Sequence, residues 1–198
     1  MADIRVCDNV LDYFDKTLEL VKKYKVGIEL QTFAEPHLKN EKKLIAIQKA
    51  ATAKIKHKSM HAPFWDLNLG TALPELRSLT MKYIQHAYKV AKELGCDAIV
   101  FHNGYVPFTS HKKNWVKRAT TFWKEFFADK DDSITIMIEN MLCLDSSVIL
   151  EEIDAVSELY QLLLKTRNQI NNNKKTIHKF EWFYFAFNYL ILFEEYFH

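Results

Sequence analysis

Three apolar, strand-like runs each end on a side chain able to ligate a metal, and they recur at nearly even intervals. They read Lys58-Ser-Met-His61-Ala-Pro63, Ala98-Ile-Val-Phe-His102-Asn-Gly104 and Ile134-Thr-Ile-Met-Ile-Glu139-Asn140. The candidate ligands stand 41 and 37 residues apart. That interval holds one strand, one helix and two loops. Parallel strands need a crossover of a dozen or more residues, usually a helix. Ligands recurring once per unit, at the same strand end, therefore converge at one mouth of a parallel barrel-like sheet, where such barrels gather their chemistry. The spacing predicts a divalent-metal site built from His61, His102 and Glu139.

The rest of the chain supports alternating strands and helices. Residues 3–7 and 28–33 are strand candidates. Asp8 or Asn9 is placed to cap a helix whose apolar positions, Val10, Leu11, Phe14, Leu18 and Val21, keep a three-to-four step. Pro36 breaks the chain. A second helix is predicted from about residue 40, with Leu44, Ile47, Ala51 and Ile55 on one face. Pro74 suits a first helical turn, where its missing N–H costs nothing. Leu76, Leu79, Tyr83, Ala87, Ala91 and Leu94 form the predicted stripe of that helix, and Gly95 its C-terminal cap. Trp115, Ala119, Phe122 and Phe126 mark another helix, and one more is predicted from about 146 to 164. The order β-α repeated five times implies a parallel sheet with helices outside. A closed eight-unit barrel needs about 250 residues, so the expected fold is α/β, a TIM-barrel-like parallel arc of about five of eight units. It is either a short open variant or a truncated barrel.

Composition narrows the function classes. With 48% apolar and 26% charged residues the chain is globular, and a net charge of +2 favours neither nucleic acid nor an anionic membrane as partner. Cys7, Cys96 and Cys143 are odd in number, with no CxxC pair, which reads as reduced thiols of a cytoplasmic protein. The N-terminus lacks the basic and apolar regions of a signal peptide.

The texture changes near the C-terminus. Residues 168–175 are polar and monotonous, and more than half of residues 180–198 are aromatic. The expected organisation is a partial barrel domain over 1–165 and an aberrant aromatic-rich tail over 166–198. One explanation is loss of the native frame near residues 158–165. The other is an amphipathic helix covering the open sheet edge. The apolar part of the tail is shorter than the roughly 18–20 residues of a membrane span. An exposed tail of this kind would promote self-association.

Three segments carry a resemblance. Ser59-Met-His-Ala-Pro-Phe-Trp-Asp-Leu-Asn68, Ala91-Lys-Glu-Leu-Gly-Cys-Asp-Ala-Ile-Val-Phe-His-Asn-Gly-Tyr105 and Ile136-Met-Ile-Glu-Asn140 resemble the xylose isomerase-like TIM barrel superfamily over about residues 3–157. That group contains sugar and sugar-phosphate isomerases and epimerases, with the three-zinc apurinic endonucleases more distant. The resemblance implies that His61 and His102 match histidines that are metal ligands in the endonuclease branch and more often touch substrate in the isomerase branch. It implies that Glu139 is a metal ligand in both branches and, in many epimerases, the catalytic acid/base. The family's later ligands, an Asp-x-x-His pair, a His and a Glu, have no match here. The implied cofactor is therefore a divalent ion, Mn²⁺, Zn²⁺ or Mg²⁺, weakly bound. The implied activity is metal-dependent isomerisation or epimerisation of a small sugar or sugar phosphate, from a chain expected to be truncated and inactive. The alternatives are an apurinic endonuclease-type repair enzyme and a non-catalytic truncated barrel.

The donor types fit that chemistry. Imidazole nitrogen and carboxylate oxygen suit these ions, and a metal can polarise a carbonyl while a carboxylate moves the neighbouring proton. Glu29, in Gly27-Ile-Glu-Leu30, is a candidate substrate-binding acid or a paired internal one. Trp65 is a sugar-stacking platform or loop packing. Asn103 and Asn140 bind substrate hydroxyls or shape turns. His37, His57, His86 and His111 have the surroundings of surface residues. Lys54-Ile-Lys-His-Lys58 reads as a solvated helix end.

Overall fold

The structure is a computed structural model that describes residues 4–8, 14–36, 38–106, 109–131 and 133–139, with Val148, Glu151 and Asp154. Five strands form one sheet in sequential order: β1 (Arg5–Cys7), β2 (Gly27–Leu30), β3 (Lys58–His61), β4 (Ala98–His102) and β5 (Thr135–Glu139). All four pairings are parallel. Between them run α1 (Phe14–Tyr24), α2 (Glu41–Ala51), α3 (Pro74–Leu94) and α4 (Lys112–Phe127). This is the expected α/β arc, part of a TIM-like barrel. Val148 is helical and buried. The rest of the predicted 146–164 helix, Cys143 and the aromatic tail lie outside the described residues.

Register and strand alternation sort the side chains into two faces. Ile28, Leu30, Met60, Ile99, Phe101 and Ile136 share the face toward the helices, and all are buried. They meet Leu18 and Val21 of α1, Ile84, Tyr88 and Ala91 of α3, and the aromatic stripe of α4 in one core. Phe101 stands edge-on to Trp123 and Phe126 at 5.5 and 5.9 Å. Cys7, Glu29, Ser59, His61, His102 and Glu139 share the opposite, more polar face. The larger apolar side chains of the sheet thus face the helices, while the polar and titratable ones gather on the inner face beside Ala98, Val100 and Met137.

Several local expectations hold. Pro74 opens α3, and Gly95 closes it at φ 72°, a left-handed conformation that only glycine adopts without strain. Phe14, Leu18 and Val21 are buried in α1, and Trp115, Ala119, Phe122 and Phe126 in α4. Others need correction. The strand predicted over 28–33 stops at Leu30, and Thr32–Ala34 turns as a 3-10 helix. In α2 the buried side chains are Ile45 and Gln48, whereas Ile47 is 48% exposed. Leu79 of α3 is likewise 45% exposed, because Thr80, Met81 and Ile84 face the core. Ile55 falls beyond the end of α2. Lys58 is no solvated helix end: it is buried in β3, and its Nζ donates to the Leu94 carbonyl at 2.9 Å, satisfying the end of α3.

The N-terminal edge of the arc is closed by an ion pair. Arg5 on β1 reaches across to Asp97, just before β4, with Nη1 and Nη2 at 2.7 and 3.3 Å from its two oxygens. His57 Nδ1 lies 3.4 Å from the same carboxylate. Gly27 leaves room for that crossing. A Cβ there would stand 2.8 Å from the His57 carbonyl and 2.9 Å from Arg5 Cγ.

Candidate metal centre

β3, β4 and β5 end on His61, His102 and Glu139. His102 and Glu139 are register partners, while His61 pairs with Val100, one inward-facing step lower. The imidazole of His61 makes up that step. His61 Nε2 lies 3.2 Å from Glu139 Oε2 and 3.1 Å from His102 Nε2, and His102 Nε2 lies 3.2 Å from Glu139 Oε2. Among the described residues, these are the three His, Cys, Asp or Glu side chains whose ligand atoms converge. Side-chain exposure rises outward, from 5% at His61 to 13% at His102 and 30% at Glu139.

The hydrogen bonds assign the protons. His61 Nδ1 donates to the Ala62 carbonyl at 2.8 Å, so Nε2 is the atom turned to the cluster. A second ring nitrogen held by a carbonyl is the usual way a ligating histidine is oriented. Burial pulls the His61 pKa down. The hydrogen bonds to Glu139 and to the Ala62 carbonyl outweigh it and leave the net value above 6.5. Bonds first from His102 and then from His61 hold Glu139 down at about 2 despite its burial. As it stands, the group is an ionised carboxylate gripped by two imidazoles. The same triangle fits a divalent ion. Ligand bonds of about 2.1 Å put neighbouring donors about 3.0 Å apart in octahedral and about 3.4 Å in tetrahedral coordination. The observed edges of 3.1 to 3.2 Å fall between.

The other sequence-predicted residues separate. Glu29 is fixed on the same inner face, where Gln31 Nε2 and Cys7 Sγ donate to Oε1 at 3.1 and 3.6 Å and Ser59 Oγ to Oε2 at 3.4 Å. With these three donors it stands outside the His61–His102–Glu139 triangle. Trp65 is 59% exposed on the β3–α3 loop, leaning on Phe64. Asn103 is buried, its Oδ1 accepting the Tyr105 N–H at 3.0 Å, while its Nδ2 has no partner among the described residues. Asn140 lies outside the described residues. Cys7 and Cys96 are free thiols, each pushed up to about 12 chiefly by burial.

Two residues escaped the sequence reading. Asp8, offered with Asn9 as a cap, bonds elsewhere in the described residues; Asn9 and residues 10–13 lie outside them. Asp8 is fully buried, and its carboxylate accepts from the Gln31 N–H and, at 3.4 Å, the Thr32 hydroxyl. Burial raises it to about 7 against those bonds. Phe64, three residues past His61, lies flat on the His102 ring with centroids 4.1 Å apart. A short acid before a helix looks like a cap in any sequence, and nothing local marks Phe64.

Comparisons with known proteins agree with this geometry. A family model described as xylose isomerase-like TIM barrel matches residues 18–172. A D-tagatose 3-epimerase-like structure aligns at 22% identity and TM-score 0.57, covering 77% of this chain and 60% of its own. A Thermus thermophilus protein from a crystal soaked with zinc chloride aligns at 22% and 0.61, covering 80% and 64%. The D-psicose 3-epimerase of Clostridium cellulolyticum H10, solved with D-tagatose, aligns at 17% and 0.61, covering 78% and 59%. This chain therefore spans about three fifths of the length of the solved structures it resembles. No curated protein matches it. No helix among the described residues is long and apolar enough to cross a membrane. A family model covering most of the chain, on a parallel arc of five strands with helices between them, places this protein in the xylose isomerase-like TIM barrel family.

Proposed function

We propose that this arc is the metal-binding half of a sugar or sugar-phosphate isomerase or epimerase site. The observation that supports it most is the convergence of His61 Nε2, His102 Nε2 and Glu139 Oε2 within 3.2 Å of one another at the C-terminal strand edge. A bound Mn²⁺, Zn²⁺ or Mg²⁺ would supply polarisation of the sugar's carbonyl and neighbouring hydroxyl oxygens. His61 and His102 would hold it through Nε2, and Glu139 through Oε2. Glu139 is ionised and can accept a proton, but a carboxylate near 2 is a weak base, so the ligand role is its better-supported one. Glu29 and Ser59 would keep the inner wall polar beneath the substrate, and the exposed Trp65 would offer a ring face to it.

The three ligands among the described residues make half a coordination shell, and the sequence offers no match for the family's later ones, so the ion is expected to bind weakly and this chain to show no turnover by itself. The test is calorimetric titration with Mn²⁺, with and without a panel of ketoses and ketose phosphates. Tighter Mn²⁺ binding in the presence of one sugar, lost in Glu139→Gln, is the expected result. No coupling to any sugar contradicts the substrate class.

A second reading, cleavage of DNA at abasic sites, draws on one observation: both imidazoles, and not Glu139 alone, stand at ligand positions. The formal charge of +2 weighs against it, since binding a polyanion draws on many Lys and Arg. An abasic duplex that tightened Zn²⁺ binding where sugars did not would favour it.

A further inference from the structure

We infer that Phe64 is a positioning residue for the metal centre, setting the ring plane of His102; this rests on the metal-binding role proposed for the cluster. The two histidines are held by different means. His61 is oriented by a hydrogen bond from Nδ1 to the Ala62 carbonyl at 2.8 Å. His102 has no such bond: among the described residues its polar contacts are those of Nε2, to His61 and Glu139. A ligating histidine whose second nitrogen is untethered can spin about its χ2 torsion, and χ2 of an imidazole is a broad, soft torsion. Here Phe64 stacks on one face of the ring at 4.1 Å and 25° between planes. His61 meets His102 edge-on at 4.8 Å and 83°. Phe64 in turn meets His61 at 5.3 Å and 70°. One phenyl ring thus contacts both imidazoles, and it supplies the restraint that a hydrogen bond supplies at His61.

The loop carrying Phe64 is itself fixed. Asn68 Oδ1 accepts both the Trp115 indole N–H and the Gly70 N–H at 3.0 Å. Trp115 is buried, and a Cβ on Gly70 would collide with its indole. Arg118 Nε donates to the Gly70 carbonyl at 2.6 Å. Gly104, at φ 72°, lets the β4–α4 turn approach the same loop, since a Cβ there would stand 2.9 Å from the Leu67 carbonyl. The β3–α3 loop therefore presents Phe64 from a rigid support on α4, and the ring is placed before any ion arrives. Stacking on the ring face also keeps water off that side of His102, leaving Nε2 facing its two partners.

The experiment compares the parent chain with Phe64→Leu and Phe64→Met, which keep bulk without a ring, and with Phe64→Tyr, which keeps the ring. Co²⁺ is the probe, read by titration and by its visible absorption, which reports ligand geometry. The same proteins without metal are compared by the carbon-bound proton signals of His102, identified by their loss in His102→Asn. In the parent these signals should be shifted upfield by the Phe64 ring. The expected result is Co²⁺ binding roughly tenfold weaker in the Leu and Met variants, as for loss of other groups that orient ligands, with an altered absorption spectrum. The upfield shift should vanish in both, and Phe64→Tyr should retain parent behaviour in every readout. Parent-like affinity, spectrum and His102 signals in Phe64→Leu or Phe64→Met overturn the inference. If the parent binds no Co²⁺, the proposed metal centre falls, and an unshifted His102 in the parent or an unchanged one in Phe64→Leu separately overturns the placement by Phe64.

Discussion

The arc carries an acid–histidine group at each end, and the two differ in whether an ion could replace the protons that hold them together. At the N-terminal edge, Asp97 faces Arg5 at 2.7 Å and His57 at 3.4 Å. At the C-terminal edge, Glu139 faces His61 and His102, both at 3.2 Å. The ingredients are similar, but the protons are not. A guanidinium cannot be deprotonated in a protein, so the Asp97 carboxylate is permanently taken by a cation that belongs to the fold. Two imidazoles can give up their protons, and an ion can then take the place of those protons between the same atoms. Solvent differs too: Asp97 and His57 are 42% and 44% exposed, whereas His61 is 5% exposed. Closeness of acid and histidine is therefore no sign of a site. What matters is whether the lone pairs that converge can be freed.

The largest expected effect concerns a buried acid at the C-terminal edge whose proton is held by burial alone. Asp8 is raised to about 7. Its folded value exceeds the unfolded one, so its contribution is fully present below about pH 4 and is lost as pH rises through 7. At about 1.36 kcal/mol per unit, the loss has a ceiling of about 4 kcal/mol. Asp8→Asn keeps an oxygen for the Gln31 N–H and should flatten that part of the stability curve in urea unfolding at pH 4 and pH 8. An unchanged slope would mean that Asp8 ionises normally in the fold.

Next in size is Glu139→Gln, which should weaken Mn²⁺ or Zn²⁺ binding by at least about 100-fold, roughly 2.7 kcal/mol, beyond what loss of a supporting group costs. Asp97→Asn at the other edge should leave that affinity unchanged. Gly27→Ala should do the converse: the added Cβ meets backbone at 2.8 Å, and overpacking of this kind costs about 1–3 kcal/mol. Thermal unfolding should report that loss, with metal affinity per folded molecule intact. The smallest effect is that of Arg5→Met. Its partner is 42% exposed, so the pair should contribute no more than about 1 kcal/mol, shrinking as salt is raised. A salt-independent loss would show that Arg5 acts by packing.

Much of this was legible in the sequence, for physical reasons. Strand ends are marked by apolar runs, so the shared edge of His61, His102 and Glu139 is legible in the residues alone. Helices with strong stripes, such as Phe14, Leu18 and Val21 or Trp115, Ala119, Phe122 and Phe126, were equally readable. Ile47 and Leu79 were misplaced because a rotation of one position about the helix axis is decided by what packs against it, here Gln48 and Thr80 turned inward. The tertiary role of Asp8 was not legible because a short acid before a helix serves equally as a cap or as an acceptor for a distant turn. Asn103 accepts the Tyr105 N–H, a local bond that a residue two positions before a backbone donor makes legible. Phe64 was invisible because its partner, His102, is distant in the chain and ring stacking leaves no local pattern.

The central claim is that the C-terminal triangle holds one divalent ion and the N-terminal group holds none. The most direct test is anomalous diffraction at the zinc edge from crystals soaked in Zn²⁺. One strong peak is expected about 2.0–2.2 Å from His61 Nε2, His102 Nε2 and Glu139 Oε2, and nothing between His57 and Asp97. A peak at the His57–Asp97 edge, or an empty triangle at saturating zinc, would contradict it.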